Sequence, residues 1–139
     1  IYDVIDMPFG YNKPNGMMLI YPVINPKNHY LSFENMLMGD VTEEKLNEFS
    51  IDKAVDENSA PAFIVHTAND QMVDVKGVLQ LASVMREQGI DFEMHIYPDG
   101  PHGLALANEI TSCGFSHWVD PAIAKWVDNA VYWAEKFGK

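Results

Sequence analysis

The chain has 139 residues, of which 47% are hydrophobic and 12% aromatic, so it can form one globular domain and is neither disordered nor collagen-like. Acidic residues number 20 against 9 Lys and Arg, and the formal net charge of −11 disfavours nucleic acid and anionic membrane surfaces as partners. The single cysteine, Cys113, excludes an intrachain disulfide and therefore a secreted disulfide scaffold. No apolar run approaches the roughly 20 residues that a membrane-spanning helix needs. We expect no nucleic acid and no membrane partner.

Three short apolar segments predict β-strands. In chain order they are residues 17–21, 62–67 and 92–97. The first two are nearly continuous, as strands buried on both faces are, whereas the third alternates apolar and polar residues and belongs nearer to a sheet edge.

Helical patterns lie between and after these strands. The acidic stretch 40–57 predicts a surface helix with Thr42 as its N-cap, and apolar residues recur at helical spacing over 75–85, before Gly89. A further apolar stripe covers 123–137. Alternating strands and helices predict an α/β fold with an open, mostly parallel sheet and flanking helices.

Two loops leave neighbouring strands and carry the candidate catalytic residues. The loop after the second strand contains Asp70, and the loop after the third contains His102 between Gly100 and Gly103. Because the carboxyl ends of parallel strands lie at one edge of the sheet, Asp70 and His102 are expected to meet there. A carboxylate that binds one ring nitrogen fixes the tautomer and makes the other nitrogen a general base.

Both loops resemble those of α/β-hydrolase fold carboxylesterases, in particular the acetyl esterase and acetylxylan-esterase-like branch. In that branch a strand ending His-Thr-Ala-x-Asp-x-x-Val presents the triad acid, which matches residues 66–73 with Asp70 as the acid. The family's histidine lies in a Gly-x-His-Gly turn, which matches residues 100–103 with His102 as the base. The resemblance covers about residues 17–107 and implies an α/β-hydrolase fold and ester hydrolysis without a cofactor.

One departure from that family concerns Asp74, which stands where the family usually has Pro. Asp74 is either a fallback for the acid or, as we favour, a residue that binds the free amides at the start of the next helix. A metal site formed by His66, Asp70, Asp74 and His102 is the other alternative. Their spacing straddles the end of a strand and matches no usual ligand pattern, so no metal is expected.

The larger departure is the missing nucleophile. None of the six serines has the two glycines of a Gly-x-Ser-x-Gly elbow. In the resembling family the order is Ser, acid, His, so the resemblance implies that the nucleophile and the oxyanion hole lie upstream of Ile1. We therefore expect residues 1–139 to be a single partial domain, the C-terminal half of an α/β-hydrolase domain, and the cellular compartment stays open.

The leading hypothesis is a serine carboxylester hydrolase that acts on small, short-acyl esters. The resemblance implies that its substrates include acetylated sugars or xylan. Two alternatives remain: a non-catalytic α/β interaction module or pseudo-enzyme half, and, within the fold, a peptidase or lactone hydrolase. The apolar segment 17–24 would form an unpaired sheet edge. That edge predicts association with the missing N-terminal half or self-association.

Overall fold

The structure, a computed structural model, describes residue 8 and residues 10–137. Its centre is a three-stranded parallel sheet in which β2 lies between β1 and β3. The strands are β1 (Met17–Ile20), β2 (Ala62–Thr67) and β3 (Phe92–Tyr97). The predicted parallel sheet is confirmed. β1 ends one residue earlier than predicted because Tyr21 leaves the extended conformation, with a φ of +42°.

Helices flank this sheet. They are α1 (Tyr30–Met36), α2 (Glu43–Glu48), α3 (Ile51–Ala54), α4 (Lys76–Glu87), α5 (Pro121–Ala124) and α6 (Trp126–Phe137), with a 3-10 turn at Ser116–Trp118. None of the helices within the described residues has the length and apolar character to cross a membrane.

The acidic stretch forms two short helices rather than one. Thr42 caps α2 as predicted, since its Oγ1 accepts the Lys45 amide at 3.2 Å. Ser50 then adopts an extended backbone and donates its hydroxyl to the Leu46 carbonyl at 2.8 Å, which separates α2 from α3. The surface prediction is confirmed for α2, which buries no residue, and for the other residues of α3, and it is wrong only at Asp52, which is buried.

The C-terminal stripe also divides, into α5 and α6, at Lys125. The Ala124 amide still bonds to the Asp120 carbonyl at 2.9 Å, and the Asn129 amide bonds to the Lys125 carbonyl at 3.1 Å. Helical bonding is therefore interrupted only at the turn between the two helices.

Both faces of β2 are buried, which explains its continuous apolar sequence. On one face Ala62 and Ile64 pack with α4, and on the other Phe63 packs with Trp133 of α6. β3 places alternate apolar residues on the α4 side, and it lies at an edge of the described sheet, as its pattern predicted. A third cluster of Leu104, Ala107 and Ile123 supports the loop after β3.

Candidate active site

The site lies where β2 and β3 end. The parallel ladder continues one step beyond the strands, because the Ala68 amide donates to the Tyr97 carbonyl at 2.8 Å. Two loops start from this point: the acid loop, residues 68–74, and the histidine loop, residues 98–103. They leave the same edge of the sheet side by side, as the parallel order requires.

The buried carboxylate of Asp70 holds the acid loop together by hydrogen bonds. Its Oδ1 accepts the amides of Met72 at 2.8 Å and Val73 at 2.9 Å. Its Oδ2 lies 2.7 Å from Nδ1 of His102, and its side chain is fully buried, with 0% exposure. Burial raises the pKa of Asp70, but the hydrogen bonds from the Val73 amide, His102 and the Met72 amide outweigh it and hold the pKa below its usual value. Asp70 is therefore ionised at neutral pH.

His102 completes the pair and stays partly open. An ionised carboxylate only accepts hydrogen bonds, so Nδ1 of His102 carries a proton, and in the neutral imidazole Nε2 is then the acceptor. The side chain is 23% exposed, and no described residue hydrogen-bonds to Nε2. The ring of Tyr21 meets the imidazole edge-on, with centroids 5.0 Å apart. The open nitrogen can take a proton from a group that approaches it.

The two loops are joined at Gly100, before His102. The Thr67 hydroxyl donates to the Gly100 carbonyl at 2.8 Å, and the Gly100 amide donates to Oδ1 of Asn69 at 3.0 Å. Gly100 has a φ of +152°, and a Cβ there would lie 2.7 Å from Leu104. The positive φ and the close contact both require glycine at this position.

Three further contacts around the pair have no local pattern in the sequence: those of Thr67, Asn69 and Tyr21. The sequence predicts only the end of a strand at Thr67, and Asn69 stands at the first unspecified position of the His-Thr-Ala-x-Asp-x-x-Val pattern. The available signal was position, because Thr67 ends β2, Asn69 lies two residues beyond it and Tyr21 directly follows β1, all at the edge that carries the pair.

The cavity beside the pair is small. Its volume is about 10 Å³, and its lining includes Tyr21, Thr67, Asp70 and Pro101. A cavity of this volume cannot hold a substrate.

The other candidates, Asp74 and His66, form no hydrogen bond with His102. Asp74 accepts the Lys76 amide at 2.9 Å at the start of α4, which matches the helix-capping interpretation rather than the fallback acid. His66 is buried in β2, where its Nδ1 contacts the backbone of Thr67. Within the described part of the chain no group of three or more His, Cys, Asp or Glu residues can hold a metal ion.

Serine side chains bond elsewhere. Ser50 and Ser112 donate to nearby carbonyls, and Ser32, Ser59 and Ser83 contact His29, Asp56 and Glu87. No described serine hydrogen-bonds to His102.

Sequence comparisons place both loops in a known family. The profile of the prolyl oligopeptidase family matches residues 15–120, more than half of the chain. Endo-1,4-beta-xylanase B of Butyrivibrio fibrisolvens is 37% identical over 106 residues, which are 75% of this chain and 17% of that protein. An acetylxylan esterase of Xylanibacter ruminicola is 32% identical over 101 residues, 68% of this chain and 21% of that protein.

Structural comparison agrees with the sequence matches. A carboxylesterase from Lactobacillus plantarum WCFS1 superimposes with a TM-score of 0.81 and 25% identity, over 99% of this chain and 50% of that one. The chain thus spans about a fifth of the two curated relatives and half of the solved carboxylesterase. Its sheet, its helices and these matches give it the α/β-hydrolase fold, and it belongs to the prolyl oligopeptidase family.

Proposed function

We propose that the protein is a serine carboxylester hydrolase in which Asp70 and His102 are the acid and base of a Ser-His-Asp triad. The 2.7 Å contact between Oδ2 of buried Asp70 and Nδ1 of His102 carries this proposal. The carboxylate holds the imidazole in the tautomer that leaves Nε2 unprotonated, and it stabilises the imidazolium formed during the reaction.

The nucleophilic serine of this proposal lies outside the 139 residues. In the first step Nε2 of His102 accepts the serine hydroxyl proton while the serine oxygen attacks the ester carbonyl carbon. The imidazolium then donates that proton to the leaving alcohol oxygen as the carbon–oxygen bond breaks. A water molecule, deprotonated by the same nitrogen, attacks the carbonyl carbon of the acyl-enzyme, and the imidazolium returns that proton to the serine oxygen as the serine–acyl bond breaks. These steps require no cofactor.

Acetyl esters of sugars or xylan are the proposed substrates. The support comes from the relatives, one named an acetylxylan esterase, one a xylanase and one a carboxylesterase. Substrate choice depends on the pocket and not on the acid–base pair, so it needs its own measurement.

We also propose that residues 1–139 form a partial domain, the C-terminal half of an α/β-hydrolase domain, which associates with the other half or with itself. Two observations support it: the chain spans half of the solved carboxylesterase, and β1 is an edge strand of the described sheet, with Met18 exposed. Sedimentation of the 139-residue chain at micromolar concentration should show oligomers. A monomer that unfolds cooperatively would contradict the proposal.

The experiment for the catalytic proposal uses the full-length protein and a chromogenic acetate ester. Asp70→Asn and His102→Ala should each lower kcat/KM by about 10³–10⁴-fold with the folded circular dichroism spectrum retained. The chain offers a matched control in His95 and Glu93, a second histidine–carboxylate contact at 2.9 Å. His95→Ala and Glu93→Gln should keep turnover near the parent value. Normal hydrolysis by either triad variant contradicts the proposal.

A peptidase is the second candidate, favoured by the match to the prolyl oligopeptidase family. The same pair would then serve a serine that attacks an amide carbonyl. Parallel assays with an acetate ester and a proline-containing peptide anilide separate the two. A higher kcat/KM on the peptide would replace ester hydrolysis as the conclusion.

A further inference from the structure

We infer that Asn69 is a positioning residue that fixes the histidine loop against the acid loop and so sets the geometry of Asp70 and His102. The inference rests on the proposed function, because it concerns the same acid–base pair. Asn69 touches neither ring nitrogen of His102 and acts through the backbone that carries that residue.

Two hydrogen bonds of one side chain span the loops. Oδ1 of Asn69 accepts the Gly100 amide at 3.0 Å, and its Nδ2 donates to Oδ1 of Asp99. Asn69 directly precedes Asp70, while Asp99 and Gly100 stand three and two residues before His102. The same amide group is thus adjacent in sequence to the acid and bonded to the segment that leads into the base.

Two further hydrogen bonds hold the backbone of Asn69 and of Gly100. Gln71 donates its Nε2 to the Asn69 carbonyl at 2.6 Å, which braces the acid loop from within. On the other side of Gly100, the Thr67 hydroxyl donates to the carbonyl at 2.8 Å. Both polar groups of the Gly100 peptide backbone are therefore bound by the segment that presents Asp70, and Asn69 supplies one of the two bonds.

The chemistry of position 69 requires a carboxamide. The Gly100 amide needs an acceptor and Asp99 needs a donor, and Asn offers both from one planar group. A carboxylate there would face the carboxylate of Asp99, and an alanine would release both partners.

The exposure of Asn69 and Asp99 indicates that their hydrogen bonds position His102 rather than stabilise the fold. Asn69 and Asp99 are exposed, and hydrogen bonds at an exposed site contribute little to the overall stability. A general base, however, must be held within a fraction of an ångström of its working position. Loss of the Asn69 bonds should therefore lower turnover far more than stability.

The test measures kcat and KM of full-length variants with the acetate ester. Asn69→Ala should lower kcat by about tenfold to hundredfold, with KM and the melting temperature close to the parent values. Asn69→Asp should lose at least as much kcat because of the Asp99 carboxylate. The double variant Asn69→Asp with Asp99→Asn exchanges the two groups and should recover most of the kcat lost by Asn69→Asp. Asn35→Ala, at an exposed asparagine of α1, is the matched control and should behave as the parent.

Recovery of kcat in the double variant depends on which of the two side chains carries the hydrogen-bond donor. A general loosening of the fold would not produce this recovery. Parent-like kcat in Asn69→Ala, or a double variant no better than Asn69→Asp, would overturn the inference. Both results can occur while Asp70→Asn and His102→Ala remain inactive, in which case the proposed function stands. Activity in those triad variants would instead remove the function on which the inference rests.

Discussion

Thr67 and Gly100 meet so closely that Gly100 has no room for a side chain: the Thr67 hydroxyl donates to the Gly100 carbonyl at 2.8 Å, and a Cβ on Gly100 would lie 2.9 Å from Cγ2 of Thr67. The contact joins the end of β2 to the histidine loop. It holds the segment before His102 at a fixed distance from the acid loop.

Gly100→Ala should therefore destabilise the full-length protein by about 1–3 kcal/mol, through overpacking added to a backbone conformation unsuited to alanine. Urea unfolding measures the change. Gly39→Ala is the control, because Gly39 also has a positive φ, +78°, but a Cβ added there would meet no atom within 4 Å. Equal losses in the two variants would show that crowding at Gly100 has no effect.

Trp133 joins α6 to the sheet and offers a second test. It is 4% exposed, and its ring centroid lies 5.9 Å from that of Phe63 in β2. Trp133→Ala should cost about 3–5 kcal/mol in the free energy of unfolding, because a large cavity opens under the helix. The neighbouring Tyr132 is exposed, so Tyr132→Ala should cost less than about 1 kcal/mol. Similar losses in both variants would contradict this packing.

The parallel sheet and the contact between Asp70 and His102 could both be predicted from the sequence, for a physical reason. A continuous apolar run such as residues 62–67 is stable only when both faces are covered, which indicates a central parallel strand. Parallel strands then bring their carboxyl-end loops together whatever the loops contain. The catalytic role of the two residues remains a prediction.

Other features depend on tertiary contacts that no local pattern encodes. An exposed Asn in a loop has no periodicity to indicate that its amide binds Gly100 and Asp99. Asp52 stands in a stretch whose acidic composition indicates surface, yet it is buried. Tyr21 adopts a positive φ that is unfavourable for an aromatic residue, and the bond from its amide to the Val65 carbonyl at 2.7 Å accompanies that conformation.

The ring of Tyr21 packs edge-on against the imidazole of His102, with the ring centroids 5.0 Å apart. An edge-to-face contact of this kind contributes about 1 kcal/mol, so Tyr21→Ala should lower kcat about fivefold by letting the imidazole turn. Tyr21→Phe keeps the ring and should keep kcat. Steady-state kinetics on the acetate ester measure kcat of both variants. An equal loss of kcat in the two variants would assign the role to the hydroxyl instead.

The pKa of Asp70 predicts how stability changes in acid. Burial raises this pKa, but the hydrogen bonds from Val73, His102 and Met72 outweigh it, so the pKa is lower in the folded protein than in the unfolded chain. The ionised carboxylate then contributes stability that is fully present above the unfolded pKa of about 3.9 and is lost as the pH falls through the folded pKa.

Asn at position 70 carries no charge at any pH. Asp70→Asn should therefore be less stable than the parent at pH 7, and the gap in the free energy of unfolding should shrink below about pH 4. Chemical unfolding at about pH 7 and about pH 3 measures the two gaps, and a gap of the same size at both would contradict a stabilising charge on Asp70.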